Sequence, residues 1–230
     1  MAARPSQPIL NAPAAVRWIV GVTVLVHVLR LIMPAGVEEE LFNALAFVPD
    51  RYAGPNSVGS LLLMALTPLG HLLLHADFMH LIMNMAFFMA FGSAVARRMG
   101  PVLFLLLYVL CGVFAAFFWM WLYGSNEAVL IGASGAISGM VGAVCRVSLW
   151  PPRRMGSALP LWNRRMVINF VLIWLALNLL FGFVPIFVGE GYGGIAWEAH
   201  LGGFLAGFLL IGLFDGRGRR EMVARNPRFL

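Results

Sequence analysis

The sequence predicts an all-α, polytopic membrane protein built as a bundle of six transmembrane helices. Three observations carry that prediction. First, 61% of the 230 residues are hydrophobic and 11% are charged, against roughly 45–50% and 25% in soluble domains. With 18 Phe, 7 Trp, 13 Met and a mean hydropathy of +0.86, too little polar material remains to cover a water-facing surface. Second, apolar runs of span length recur between polar breaks, and at about 20 residues per span a chain of this length holds roughly five to seven. Third, all 16 basic residues are Arg, clustered in short hydrophilic stretches between apolar runs, as topology signals are.

The first run, residues 14–33, follows a polar, Pro-containing N-terminus; its length and the lack of a small-residue cleavage site favour a retained signal anchor. Residues 34–56 carry Glu38, Glu39, Glu40, Asp50 and Arg51 and read as a surface loop or interfacial segment. Residues 57–74 are apolar but broken by Pro68, Gly70 and His71, and read as partly inserted rather than as a clean span. A second span is expected over 78–96, stopped by Arg97, Arg98 and Gly100-Pro101. The third covers 101–123. A polar break at Gly124-Ser125-Asn126-Glu127 leads to a short fourth span over 134–150, ended by Pro151-Pro152-Arg153-Arg154. The fifth covers 166–188, a Gly-rich loop runs over 189–194, and the sixth covers 196–214 before an Arg-rich tail.

Six spans put both termini on one side of the membrane. Fourteen Arg then fall on the terminal side, leaving Arg30 and Arg51 opposite, while only Asp215 and Glu221 of the ten acidic residues share the terminal side. The formal +6 resolves into about +12 inside and about −6 outside, which assigns the termini to the cytoplasm. With no repeat and no long linker, residues 1–230 read as one domain: a cytoplasmic N-terminus over 1–13, a six-helix core over 14–214 and a cytoplasmic tail over 215–230. The charge forms no stripe interleaved with polar or aromatic readers, so no nucleic-acid partner is expected. Cys111 and Cys145 sit inside apolar runs and suggest neither a disulfide framework nor a metal site. The all-Arg basic set and short soluble ends point to a bacterial inner membrane; nothing in the chain sets an oligomeric state.

Polar groups inside membrane segments are costly and mark candidate sites. Ser134, in Gly132-Ala133-Ser134-Gly135, opens the fourth span after an outer loop. Small residues there serve close helix packing or capping; alternatively Ser134 is a nucleophile whose flanking glycines admit a substrate backbone near helix N-terminal amides. His200, Gly203 and Gly207 fall at i, i+3 and i+7 on one helical face, so a neighbouring helix can come within reach of the imidazole. A Ser–His contact between two such small-residue faces would activate the hydroxyl. His80 and Asn84, four apart on one face, serve either as interhelical hydrogen-bonders or as paired donors for an oxyanion.

Taken in order, His75 and His80 with Asn84, then Gly132-Ala133-Ser134-Gly135, then Ala199-His200 with Gly203 and Gly207, on the second, fourth and sixth of six spans, resemble the rhomboid family of intramembrane serine proteases. The resemblance covers residues 69–212. It implies Ser134 as nucleophile and His200 as general base and acid, a dyad with no third carboxylate. His80, Asn84 and the Ser134 backbone amide would form the oxyanion hole, with His75 a supporting hydrogen-bond residue, Gly132, Gly135, Gly203 and Gly207 supporting the fold of the site, and no cofactor. The implied partners are the lipid bilayer and transmembrane-helix substrates, admitted between the second and fifth spans and cut near the outer face. Two positions depart from the family pattern. No Trp-Arg pair stands before His71, and Ser138 stands where an aromatic residue commonly follows the nucleophile by four positions.

Two other readings stay open at the level of sequence. His71 and His75 have the i, i+4 spacing of paired zinc ligands, without the Glu that the zinc-protease motif places second. A non-catalytic membrane-protein binder or small transporter would also use Gly-rich helices and buried His, although no inverted repeat is visible.

Overall fold

The computed structural model describes residues 12–54, 58–124, 128–150, 163–183 and 196–225, and these are almost wholly helical. In chain order the helices are α1 (Ala14–Ile32), α2 (Ala35–Leu45), α3 (Val58–Gly70), α4 (Phe78–Phe87), α5 (Ser93–Met99), α6 (Pro101–Tyr123), α7 (Ser134–Leu149), α8 (Arg164–Phe183) and α9 (Trp197–Arg225). Three-residue and four-residue 3-10 turns add His71–Leu73 and Pro49–Tyr52, and a π turn at Phe88–Gly92 joins α4 to α5 into one rod, Phe78–Met99.

Among the described residues, four helices are long and apolar enough to cross a membrane: Ala14–Ile32, Phe78–Met99, Pro101–Leu122 and Trp197–Phe214. The other two expected spans are present as α7, which has only 16 residues, and α8, which starts on Arg164 and Arg165. The apolar side chains that face outward, Leu25, Leu62, Ile82, Val102, Ile173 and Leu209 among them, give the bundle the lipid-facing exterior its composition requires.

Expected and observed boundaries differ where local chemistry intervenes. Within the stretch expected as a surface loop or interfacial segment, residues 34–54 hold a helix and a 3-10 turn. Pro34 caps α2, whose first turn holds Glu38, and the 3-10 turn begins at Pro49, since proline at a helix start has no N–H to leave unpaired. The second span continues past 96 to Met99 and stops at Gly100, whose φ of +77° and following Pro101 break one helix and start the next. The last helix runs beyond 214 to Arg225, so the first part of the expected tail is helical. Residues 184–188 of the expected fifth span and the Gly-rich loop 189–194 lie outside the described residues.

The bundle is organised around α7. Thirteen of its sixteen residues, from Gly135 to Ser148, are buried, which places it inside a ring of other helices rather than at the lipid surface. Glycine makes that position accessible. A Cβ on Gly203 would fall on the Gly135 carbonyl oxygen, one on Gly207 on the Gly139 carbonyl, and one on Gly142 on the Phe204 carbonyl. α7 and α9 therefore meet backbone to backbone, as small-residue membrane interfaces do. On its other side α7 meets α6, where Gly139 lies against Cys111 and Gly135 against Ala115.

Candidate active site

The segment entering α7 is held from two directions. Phe47 and Leu130 exchange both backbone hydrogen bonds, Phe47 N–H to Leu130 O at 3.1 Å and Leu130 N–H to Phe47 O at 2.8 Å, an isolated antiparallel bridge. Two residues on, the Gly132 N–H donates to the His71 carbonyl at 2.9 Å. Gly132 has a φ of +111°, a region costly for any residue with a Cβ, and Ser134 then opens the helix. As the first residue of α7, Ser134 carries one of the N–H groups that precede the i→i−4 ladder.

The α7–α9 contact carries this start across to His200. Because Gly203 seats on Gly135, His200, one turn earlier on α9, comes beside Ser134, one residue earlier on α7. Its Nε2 lies 2.7 Å from the Ser134 Oγ. Its Nδ1 lies 2.5 Å from the Asn178 side-chain oxygen, and the Asn178 amide donates to the Trp174 carbonyl at 2.7 Å. Both His200 and Ser134 are partly buried rather than sealed.

His80 approaches from α4. Asp77 caps that helix by accepting the His80 backbone N–H at 2.8 Å, and the Ala76 N–H donates to His80 Nδ1 at 3.4 Å. An Nδ1 that accepts leaves the proton of the neutral ring on Nε2. That Nε2 borders the space above Gly132: a Cβ there would lie 2.8 Å from it and 3.7 Å from the Ser134 Oγ. Asn84 is buried one turn further along α4, and its Nδ2 donates to the His80 carbonyl at 2.9 Å, keeping a second N–H.

Other candidates take different places. His75 was expected to support the site through hydrogen bonds, but neither ring nitrogen has a partner among the described residues. The ring instead stands edge-on to His80, with centroids 4.9 Å apart, a contact of packing rather than of hydrogen bonding. His71 and His75 do not share a helical face, since His71 lies in a 3-10 turn and the chain is extended from Leu74. That breaks the i, i+4 face on which the zinc-pair reading rests; the His71 Nδ1 lies 3.1 Å from the Thr67 carbonyl. Where the Trp-Arg pair is missing, Arg30 of α1 supplies a tie: Nε and Nη2 donate to Glu38 at 3.0 and 2.6 Å, and Nη1 to the His75 carbonyl at 2.9 Å. Ser138 is buried within α7. Sequence reasoning passed over Asn178. The rule that singled out His80 and Asn84, an amide inside an apolar helix, applies to it equally, but its partner is 22 residues away.

Fold and site together define a polytopic α-helical membrane protein with a serine–histidine pair at the junction of two glycine-faced helices. The family model for the Rhomboid domain matches residues 64–216, and the chain belongs to the rhomboid family. It is 30% identical over 141 residues to "RHOMBOID-like protein 5" of Arabidopsis thaliana, a match covering 60% of this chain and 40% of that one. It is 31% identical over 139 residues to "Putative rhomboid protease YdcA" of Bacillus subtilis (strain 168), covering 60% of this chain and 62% of that one. The match thus spans less than two thirds of either relative's length.

Proposed function

We propose that this protein is an intramembrane serine endopeptidase that cleaves transmembrane-helix substrates near one membrane face through a Ser134–His200 dyad. The observation that carries the reading is the 2.7 Å approach of His200 Nε2 to the Ser134 Oγ, made by residues 66 positions apart and set where a hydroxyl and an imidazole are both costly in lipid. His200 takes the Ser134 proton as the oxygen attacks the scissile carbonyl, then delivers that proton to the leaving amine. The space above Gly132, between His80 Nε2–H and the Ser134 Oγ, suits the carbonyl oxygen of a bound peptide. The His80 and Asn84 N–H groups and the Ser134 amide meet the charge as it develops. A water then hydrolyses the acyl-enzyme by the reverse proton path. The chemistry as written calls for no cofactor.

The Arg distribution supports cytoplasmic termini and so an outward-facing site, in a bacterial inner membrane by the composition argument above. Cleavage of a model transmembrane substrate in proteoliposomes tests the reading. Ser134→Ala and His200→Ala should each lose at least about 10⁴-fold in kcat, and His80→Ala or Asn84→Ala about 10²–10³-fold. Undiminished cleavage by Ser134→Ala would overturn the assignment, and a wild-type chain that neither cleaves nor labels with a fluorophosphonate would point to a membrane-protein binder instead.

A further inference from the structure

We propose that Asn178 is the positioning residue of this site: its side-chain oxygen accepts a hydrogen bond from the Nδ1–H of His200 and fixes the ring in the tautomer that turns a bare Nε2 to Ser134. The inference rests on the serine-hydrolase reading above and names a component that the dyad alone lacks.

A carbonyl only accepts, so the group 2.7 Å from the Trp174 carbonyl is the Asn178 NH₂, and its oxygen is thereby turned to His200 Nδ1, at 2.5 Å. That oxygen only accepts, so Nδ1 bears the hydrogen. A neutral imidazole has a single N–H; Nε2 is therefore the acceptor, and at 2.7 Å the Ser134 hydroxyl must donate to it. From Ser134 through His200 and Asn178 to Trp174, every proton points the same way, which is the protonation state a general base needs. The reverse tautomer would face Ser134 with an N–H and could not take its proton.

The surroundings hold the amide in place. Trp174, one turn before Asn178 on α8, stacks on Phe204, one turn after His200 on α9, with centroids 5.1 Å apart and planes at 27°, so the two helices are registered beside the hydrogen bond. An amide also suits a membrane better than a carboxylate. It sets the tautomer without placing a second charge in lipid, and when His200 becomes an imidazolium the same Nδ1–H···O bond becomes charge-assisted and stronger. Ser138, where the family pattern has an aromatic, leaves this orienting work to be done from another helix.

The full chain in detergent or proteoliposomes tests this with Asn178→Ala and Asn178→Asp. Asn178→Ala should lower kcat about 100-fold with KM changed less than about threefold, and Asn178→Asp, which keeps an acceptor facing Nδ1, should recover activity to within about tenfold of wild type. A packing role would instead lower thermal stability in both variants alike without that split. Loss of less than about threefold in Asn178→Ala, or no recovery in a folded Asn178→Asp, overturns the proposal. Nitrogen-15 spectra of histidine-labelled protein read the ring with no turnover: the proposal requires His200 protonated on Nδ1 in wild type and a mixture of tautomers in Asn178→Ala. A wild-type Nε2–H form overturns it. Ser134→Ala assayed in parallel keeps the readings separate, because cleavage surviving there removes the protease assignment while the spectra still decide Asn178.

Discussion

At the scale of single residues, the sequence exposes what lipid makes expensive. Ser134, His80, Asn84 and His200 stand out because each is a polar group in an apolar run, and the structure places the Ser134 hydroxyl and the His200 and His80 rings around the Gly132 turn. What stays hidden is the partner of each group. His75 falls in the right motif, yet its ring nitrogens are unpartnered and its ring leans on His80, a tertiary fact that spacing does not encode. It has a thermodynamic signature. Burial, reinforced by the neighbouring His80, holds the His75 imidazole well below its ordinary value, at about 3. A histidine depressed in the folded state stays neutral while its unfolded counterpart protonates below about pH 6.5, so stability is lost as pH falls from there toward 3, by at most about 1.4 kcal/mol per pH unit. Thermal unfolding in detergent at pH 7.5, 6.0 and 5.0 should therefore show a steeper acid decline for wild type than for His75→Gln, and parallel curves would show that His75 does not contribute.

At the scale of elements, the glycines of α7 and α9 set the site. The sequence shows Gly203 and Gly207 on the face of His200, and the structure seats that face on the carbonyls of Gly135 and Gly139. Helix faces were legible because 3.6-residue periodicity is local. The helix over Ala35–Leu45 was not, because its acidic stretch has no buried residue to create an apolar stripe, and proline capping rather than hydrophobic pattern starts it. Packing by contact of backbones predicts an asymmetry between positions on the same helix. Gly207→Ala drives a methyl into the Gly139 carbonyl and should destabilise the protein by about 1–3 kcal/mol. Gly212→Ala on the same helix meets only Arg146 Nη2, at 3.9 Å, and should stay within about 0.5 kcal/mol of wild type. Forcing α9 off α7 also parts His200 from Ser134, so fluorophosphonate labelling should slow in Gly207→Ala and hold in Gly212→Ala; equal effects at both positions would mean the contact is not what places the dyad.

At the scale of the whole molecule, composition alone gave the membrane and the helical class, since lipid leaves few other ways to satisfy a backbone, and the Arg distribution gave an orientation to test. Depth follows from helix length. α7 rises about 24 Å over its 16 residues, against a hydrocarbon core of about 30 Å. Its far end is marked by Arg146 over the Trp150 ring at 4.5 Å from the centroid, an aromatic–cationic pair of the kind that sits at a membrane interface. If that end is level with the cytoplasmic surface, Ser134 starts about 6 Å below the opposite one, in a recess that water would have to reach for the acyl-enzyme proposed above to be hydrolysed. The two native thiols, Cys111 and Cys145, are buried, so introduced ones report cleanly. In sealed vesicles of native orientation, a membrane-impermeant maleimide should label Ser134→Cys from the outside, and Trp150→Cys, at an exposed position, only after the vesicles are opened. Labelling of both from one side would break the topology on which the outward-facing site rests, and labelling of Ser134→Cys by a lipophilic reagent alone would mean that no water reaches the nucleophile and that the hydrolytic half of the reaction has no route.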